Sequence, residues 1–138
     1  MIKVLTAIFL GGIISVSASA SNWVDLGKST DNQLQTFLDS DSIKPYKINS
    51  YSGGNYVSAF VQYTYINNNE RRKKGQYYSK VLMVADCNKR AMGSAAYIDY
   101  GFKDEVVGSY QDKLFSASSL NIVFPETVAE GILEYMCY

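Results

Sequence analysis

Residues 55–88 read NYVSAFVQYTYINNNERRKKGQYYSKVLMVADCN and predict a long β-hairpin. Apolar and polar side chains alternate in residues 55–65, which is the period of a strand with one better buried face. Residues 67–75 are polar and end in glycine, so they are predicted to form the tip of the hairpin. A second alternating strand then returns over residues 76–88. On the first strand, the better face would carry Val57, Ala59, Val61, Tyr63 and Tyr65.

Turn-forming residues divide the rest of the chain into shorter strands. These strands are predicted at residues 23–27, 35–39, 90–101 and 105–110. The composition agrees with a sheet, because the chain has 12 tyrosines and only 2 prolines, and aromatic residues favour strands.

The last segment of the chain has the period of a helix. The apolar residues that recur there at helical spacing are Val128, Ile132, Tyr135 and Met136. Pro125 suits a first helical turn, and Glu126 would lie near the positive end of the helix dipole. The pattern as a whole predicts an α+β fold, in which an antiparallel sheet of about six strands carries one C-terminal helix.

Residues 1–20 have the pattern of a cleavable signal peptide. Lys3 is followed by an uncharged run over residues 4–16 and by Ser17-Ala18-Ser19-Ala20, so cleavage is predicted after Ala20. The competing interpretation, a membrane anchor, is weaker because the run is shorter than the roughly 20 residues that span a bilayer. No lipid-attachment cysteine follows the run. We therefore expect residues 21–138 to form one exported domain, in the periplasm, secreted or at the cell surface, with no membrane span and no lipid anchor.

Charge and composition argue against several classes of function. Removal of residues 1–20 takes away Lys3 and no acid, which leaves 12 basic and 13 acidic residues. That balance does not favour nucleic acid as a partner. The chain has no histidine, so the commonest catalytic base and metal ligand is absent. Two carboxylate pairs, Asp39 with Asp41 and Asp104 with Glu105, are expected to be solvated turn residues. We therefore expect no enzyme activity, cofactor or metal.

Cys87 and Cys137 are the only cysteines. An even number of cysteines in an exported domain predicts one disulfide, whereas the alternative is a pair of buried free thiols. A disulfide here would join the end of the predicted helix to the returning strand of the hairpin. Closing a loop of about 50 residues stabilises a fold by about 4 kcal/mol.

The hairpin tip carries the most concentrated charge of the chain. Four consecutive cations there could bind an acidic protein partner, and the flanking tyrosines would add contact area. The alternative is a solvated loop that keeps the sheet edge from pairing with other molecules. The candidate partner-binding residues are Arg71, Arg72, Lys73, Lys74, Tyr63, Tyr65, Tyr77 and Tyr78.

A second candidate loop reads Ser52-Gly53-Gly54-Asn55-Tyr56. It fits the pattern S-G-x-x-Y and resembles the loop with which small periplasmic inhibitors block the active site of a lysozyme. That resemblance implies an alternative function, in which the protein is an inhibitor or immunity-type protein that acts on a lysozyme or another cell-wall hydrolase.

Four landmarks in the same order resemble the bacterial surface-adhesin protein E-like domain. They are Asn22-Trp23-Val24, Asp39-Ser40-Asp41-Ser42-Ile43, Ala85-Asp86-Cys87 with its basic continuation Asn88-Lys89-Arg90, and the helix from Pro125 to Cys137. The resemblance implies a sheet of six strands or so, with a C-terminal helix held by a bond between Cys87 and Cys137. It also implies a non-catalytic module that binds host extracellular-matrix proteins such as laminin and vitronectin.

We expect the exported protein to begin at Ser21 and to contain no free thiol. Intact-mass measurement before and after alkylation without reductant checks both points. A mass that retains residues 1–20, or labelling of both cysteines, would contradict the export argument.

Overall fold

The computed structural model describes residues 21–48 and 54–138, so the predicted signal peptide lies outside the described residues. The strands are β1 (Trp23–Lys28), β2 (Leu34–Asp39), β3 (Lys44–Tyr46), β4 (Tyr56–Tyr65), β5 (Tyr78–Asp86), β6 (Ala91–Tyr100), β7 (Val106–Gln111) and β8 (Asn121–Ile122). The helices are α1 (Glu70–Lys73) and α2 (Val128–Cys137), and single 3-10 turns occupy Ser40–Ser42 and Ala117–Ser119.

Six strands form one antiparallel sheet in the order β1-β2-β4-β5-β6-β7. The β4–β5 hairpin is its centre, with Val61 opposite Val81 and Ala59 opposite Met83. The predicted α+β fold is therefore confirmed, and two short strands add to the six. One of them, β3, continues along β4 beyond the 3-10 turn, and β8 pairs with the first residues of β6. Strands of three and two residues are too short to show a period in the sequence.

One face of the sheet is covered by α2. Ile132, Leu133 and Met136 are almost fully buried on this face. They pack against apolar residues of four strands, namely Leu38, Ala59, Val61, Val81, Met83, Ala85 and Met92. Truncating a buried residue of this kind to alanine typically costs about 2–5 kcal/mol, so α2 is an integral part of the core.

The helix begins later than predicted. Thr127 is its N-cap, and the Thr127 Oγ1 accepts a hydrogen bond of 3.1 Å from the N–H of Glu130. Pro125 precedes the cap, so its predicted place in the first helical turn was wrong. Glu126, next to the cap, has a left-handed φ of 59°. The predicted inward face of the helix was also partly wrong. Tyr135 was expected on that face but is exposed, whereas Leu133 was not expected there but is buried.

A disulfide and a pair of ion pairs hold α2 to the turn between β5 and β6. The predicted disulfide is confirmed, since Cys87 and Cys137 are bonded with their Cα atoms 5.7 Å apart. Arg90, in the same turn, pairs with the carboxylates of Glu130 at 3.0 Å and Glu134 at 2.7 Å. The hydrogen bond from Arg90 to Glu134 raises the pKa of Arg90 further above its ordinary value. Both ends of the helix sequence are thus tied to a single turn of the sheet.

The opposite face of the sheet is only partly covered. A smaller cluster of Tyr56, Val84 and Ala95 is buried there beneath Phe115 and Leu120. A bulge between Leu82 and Met83 lets Ala95 join this cluster. Beyond the cluster, towards the hairpin tip, this face lies open to solvent.

Replacing Cys87 or Cys137 with serine is expected to leave the sheet formed and to loosen α2. The bond joins residues 50 apart, so its removal should lower the free energy of unfolding by up to about 4 kcal/mol. Denaturant melts measure that loss, and hydrogen exchange should show faster exchange in α2 than in β4 and β5. The double variant is the control, because it should match either single variant. Unchanged stability in the single variants would contradict the prediction.

Candidate functional site

The hairpin tip is a turn of helix and not the predicted loop. Residues Glu70–Lys73 form α1, and the Asn69 side chain caps it by accepting a hydrogen bond of 2.9 Å from the N–H of Arg71. Gly75 then reverses the chain with a φ of 88°, which is a conformation that suits glycine. The signal for this turn was present in the sequence, because asparagine followed by glutamate is typical of a helix start.

Two of the four cations are held against tyrosine rings. The guanidinium of Arg72 lies 4.3 Å from the centre of the Tyr77 ring and donates a hydrogen bond of 3.1 Å to the carbonyl oxygen of Tyr65. The guanidinium of Arg71 lies 5.5 Å from the centre of the Tyr65 ring and donates at 3.4 Å to its hydroxyl. Cation–π contacts of this kind contribute about 0.5–1 kcal/mol at exposed sites. Both arginines are therefore oriented by their neighbours.

The two lysines differ from the arginines. Lys73 makes an ion pair of 2.6 Å with Glu70 on the surface, and its hydrogen bond lowers the pKa of the Glu70 carboxyl. Such exposed pairs contribute little to stability. Lys74 lies exposed at the end of α1. The four cations of the hairpin tip therefore differ. Both arginines are held in place by tyrosine contacts, whereas both lysines are exposed to solvent.

The four candidate tyrosines lie on two different faces of the sheet, because successive strand residues point to opposite faces. Tyr63 and Tyr65 share the face of α2, and the buried Tyr65 hydroxyl hydrogen-bonds to Ser79 at 2.9 Å. Burial, with a smaller contribution from Tyr65, raises the pKa of Tyr63 to about 12. The Tyr77 ring lies under Arg72. We call Tyr63, Tyr65, Arg71, Arg72 and Tyr77 the hairpin-end site.

Tyr78 does not belong to the hairpin-end site. It lies on the opposite face, where its ring stacks on Tyr100 with centroids 4.7 Å apart. Its hydroxyl donates a hydrogen bond of 2.9 Å to the carboxylate of Asp104. Desolvation, followed by this hydrogen bond and the charge of Asp104, raises the pKa of Tyr78 to about 12.

The turn between β1 and β2 adds residues that the sequence patterns did not indicate. A cavity of about 350 Å³ lies between this turn and the hairpin tip, and Asp31, Gln33, Tyr63 and Arg71 line it. The Asn69 side chain donates a hydrogen bond of 3.1 Å to the carbonyl oxygen of Gln33. Hydrogen bonds from the Ser29 hydroxyl and the Gln33 N–H lower the pKa of Asp31. A contact across 36 residues leaves no local signal in the sequence.

The carboxylate pairs have structural contacts. Asp39 accepts a hydrogen bond of 3.2 Å from the N–H of Asp41 and so caps the first 3-10 turn. Asp104 accepts from Tyr78, and Glu105 accepts at 2.8 Å from the N–H of Lys103. The expectation that Asp39 is solvated was wrong, since it is 8% exposed.

The Ser52–Tyr56 loop is described only in part. Ser52 and Gly53 lie outside the described residues, whereas Tyr56 begins β4 and is buried beside Val84. The ring of Tyr56 is therefore part of the smaller buried cluster with Val84 and Ala95.

A model of the surface-adhesin protein E family matches residues 23–138, from the first residue of β1 to the residue that follows α2. The chain belongs to the surface-adhesin protein E family. The resemblance predicted from the four sequence landmarks is therefore confirmed. No curated protein and no solved structure was found to match the chain. Within residues 21–48 and 54–138, no helix has the length and hydrophobicity needed to cross a membrane.

The free energy of unfolding should fall as the pH rises from 10 to 12. In that window the unfolded chain loses tyrosine protons, while folded Tyr63 and Tyr78 keep theirs up to about pH 12, so their contribution is complete below pH 10 and is lost above it. Denaturant melts at increasing pH check this, and Tyr78→Phe should reduce the fall. Tyr138→Phe is the control, since that ring is 88% exposed. A fall of equal size in Tyr78→Phe would contradict the prediction.

Proposed function

We propose that this member of the surface-adhesin protein E family is an exported, non-catalytic module that binds a protein partner through the hairpin-end site. The observation that carries the proposal is the fixed orientation of Arg71 and Arg72 on tyrosine rings at an exposed corner of the sheet. The family membership of residues 23–138 supports a surface protein of adhesin type.

The chemistry of the two arginines favours an acidic partner surface. A guanidinium has five N–H donors, and each arginine uses one nitrogen for a hydrogen bond within the described residues. No carboxylate of those residues lies within 4.0 Å of either guanidinium. The remaining donors can therefore bind a partner carboxylate in the bidentate way that gives both strength and direction.

Host extracellular-matrix proteins such as laminin or vitronectin are the partners that we propose. Arginine and tyrosine are the residue types that most often dominate protein interfaces, and the hairpin-end site combines both. Asp39 and Glu105 each accept a hydrogen bond from a backbone N–H two residues away, and Asp104 accepts one from the Tyr78 hydroxyl. These structural contacts support a non-catalytic module.

Two double variants separate oriented arginines from bulk charge. Arg71→Ser with Arg72→Ser should weaken partner binding about tenfold or more, because hydrogen bonds to charged groups are worth about 1.5–3 kcal/mol. Lys73→Ser with Lys74→Ser removes the same charge from the same turn and should weaken binding much less. Binding to immobilised laminin and vitronectin, measured at low and physiological ionic strength, tests both.

The salt dependence gives a second readout. Surface charges are screened by salt, so binding by the unsubstituted protein should weaken between the two ionic strengths, and binding by the arginine variant should weaken less. All variants must remain folded by denaturant melt. The lysine variant should change stability by under about 0.5 kcal/mol, and the arginine variant should lose more because it also removes the contacts with the rings of Tyr65 and Tyr77. Equal losses in the two variants would show that only net charge matters. Unchanged binding in both would show that the hairpin end is a solvated turn.

A further inference from the structure

The open half of the sheet face opposite α2 contains a concave groove. Its volume is about 350 Å³, and its lining includes Trp23, Phe60, Lys80, Leu82, Ile98 and Tyr100. These residues come from β1, β4, β5 and β6, so the floor of the groove is the sheet itself. The hairpin-end site lies on the other face.

The lining of the groove is apolar and partly exposed to water. Phe60 and Leu82 are directly opposite each other across β4 and β5, and Ile98 lies next to Lys80 across β5 and β6. Phe60 is 43% exposed and Ile98 is 39% exposed. Removing apolar side chains of this size from water lowers the free energy, so their burial by a ligand would favour binding. The volume of the groove, about 350 Å³, falls in the range found for small-molecule pockets, roughly 300–1,000 Å³.

Lys80 is the only cationic side chain in this lining, which also includes Ser21, the predicted first residue of the exported protein. The ammonium of Lys80 lies 5.6 Å from the ring centre of Trp23 and 5.7 Å from that of Tyr100. Among the described residues, no carboxylate lies within 4.0 Å of it. Asp39, which also lines the groove, is 8% exposed and its Oδ1 is bound by the N–H of Asp41. Lys80 is therefore a positive charge in a mostly apolar groove, and it forms no ion pair within the described residues.

We propose that this groove binds a single-chain amphiphile with one anionic headgroup, namely a medium-chain fatty carboxylate. The carboxylate would pair with the Lys80 ammonium between the two aromatic rings. The hydrocarbon chain would lie on Phe60, Leu82 and Ile98 and remove their exposed surface from water. Lys80 complements the charge of such a ligand, and the apolar side chains complement its hydrocarbon chain. Asp39, the one carboxylate of the lining, is 8% exposed and accepts a hydrogen bond from the N–H of Asp41. The site is separate from the hairpin-end site and goes beyond the function proposed for it.

Ligand binding in the groove can be followed by tryptophan fluorescence, because Trp23 lines the groove and is the only tryptophan of the chain. The exported protein, with its disulfide intact, is titrated with decanoate below the critical micelle concentration while tryptophan fluorescence is recorded. We expect a saturable change in emission. Affinity should rise from octanoate to decanoate by up to about fourfold for each added methylene that becomes buried. Decanol and decyltrimethylammonium should bind at least tenfold more weakly than decanoate, because neither carries the negative charge that would form an ion pair with the Lys80 ammonium.

Lys80→Met tests the role of the cation while keeping an apolar side chain of similar length. This variant should lose most of the preference for decanoate over decanol, because Lys80 is the only cationic side chain that lines the groove. Lys89→Met is the matched control, since Lys89 lies exposed in the β5–β6 turn and its loss should change nothing. Ile98→Gln should weaken both ligands, which reports on the apolar part of the groove independently of charge.

Three results would overturn the proposal. The first is the absence of any saturable change in Trp23 emission with decanoate. The second is an unchanged preference for decanoate in Lys80→Met. The third is a dimer that Ile98→Gln dissociates while decanoate has no effect, since the groove would then be an interface between two copies of the chain. The arginine variant of the hairpin-end site should bind decanoate normally, so the two proposals fail separately.

Discussion

The attachment of α2 to one face of the β4–β5 hairpin is the constraint on which the structure depends. A helix of ten residues is too short to be stable alone in water, yet it supplies three of the ten buried residues of the larger core cluster. The Cys87–Cys137 bond and the two ion pairs of Arg90 fix it to a single turn. Because α2 covers one face, the other face is left with only the small Tyr56 cluster, and this difference decides where exposed apolar surface remains.

The pleat of the sheet then assigns neighbouring residues to different surfaces. Tyr77 lies beneath Arg72 on one side, whereas Tyr78 stacks on Tyr100 on the other. Lys80 follows Tyr78 on its face and reaches the rings of Trp23 and Tyr100. Both candidate sites are thus built on the same pair of central strands, but they face in opposite directions. A ligand in the groove and a protein at the hairpin end would not compete for space.

Sequence patterns predicted the long elements well and the side-chain contacts poorly. The alternation of residues 55–65 and 90–101 located β4 and β6 to within one residue at each end, because nine or ten residues show a period of two clearly. The helix start was misplaced because Pro125 was preferred to the Thr127 cap. Separately, the apolar spacing included Tyr135, which is exposed, and left out Leu133, which is buried. The run of four cations was evident in the sequence. The start of α1 was indicated by Asn69 and Glu70, but which two cations lie on the rings of Tyr65 and Tyr77 depends on side-chain positions that a sequence pattern does not give. The pairing of Lys80 with Trp23 depends on the order of strands in the sheet.

The contact of Arg72 with the Tyr77 ring and the Tyr65 carbonyl has a consequence for kinetics. Ordering a long side chain at an interface costs about 0.5–1.5 kcal/mol, and for Arg72 much of that entropy is already lost in the folded protein. Its bonds to a partner would therefore act mainly on the lifetime of the complex, since short-range charged contacts chiefly govern dissociation. Lys74, which extends into water from the same turn, would act at longer range and accelerate encounter. In the proposed complex, two side chains from one short turn would thus govern different rate constants.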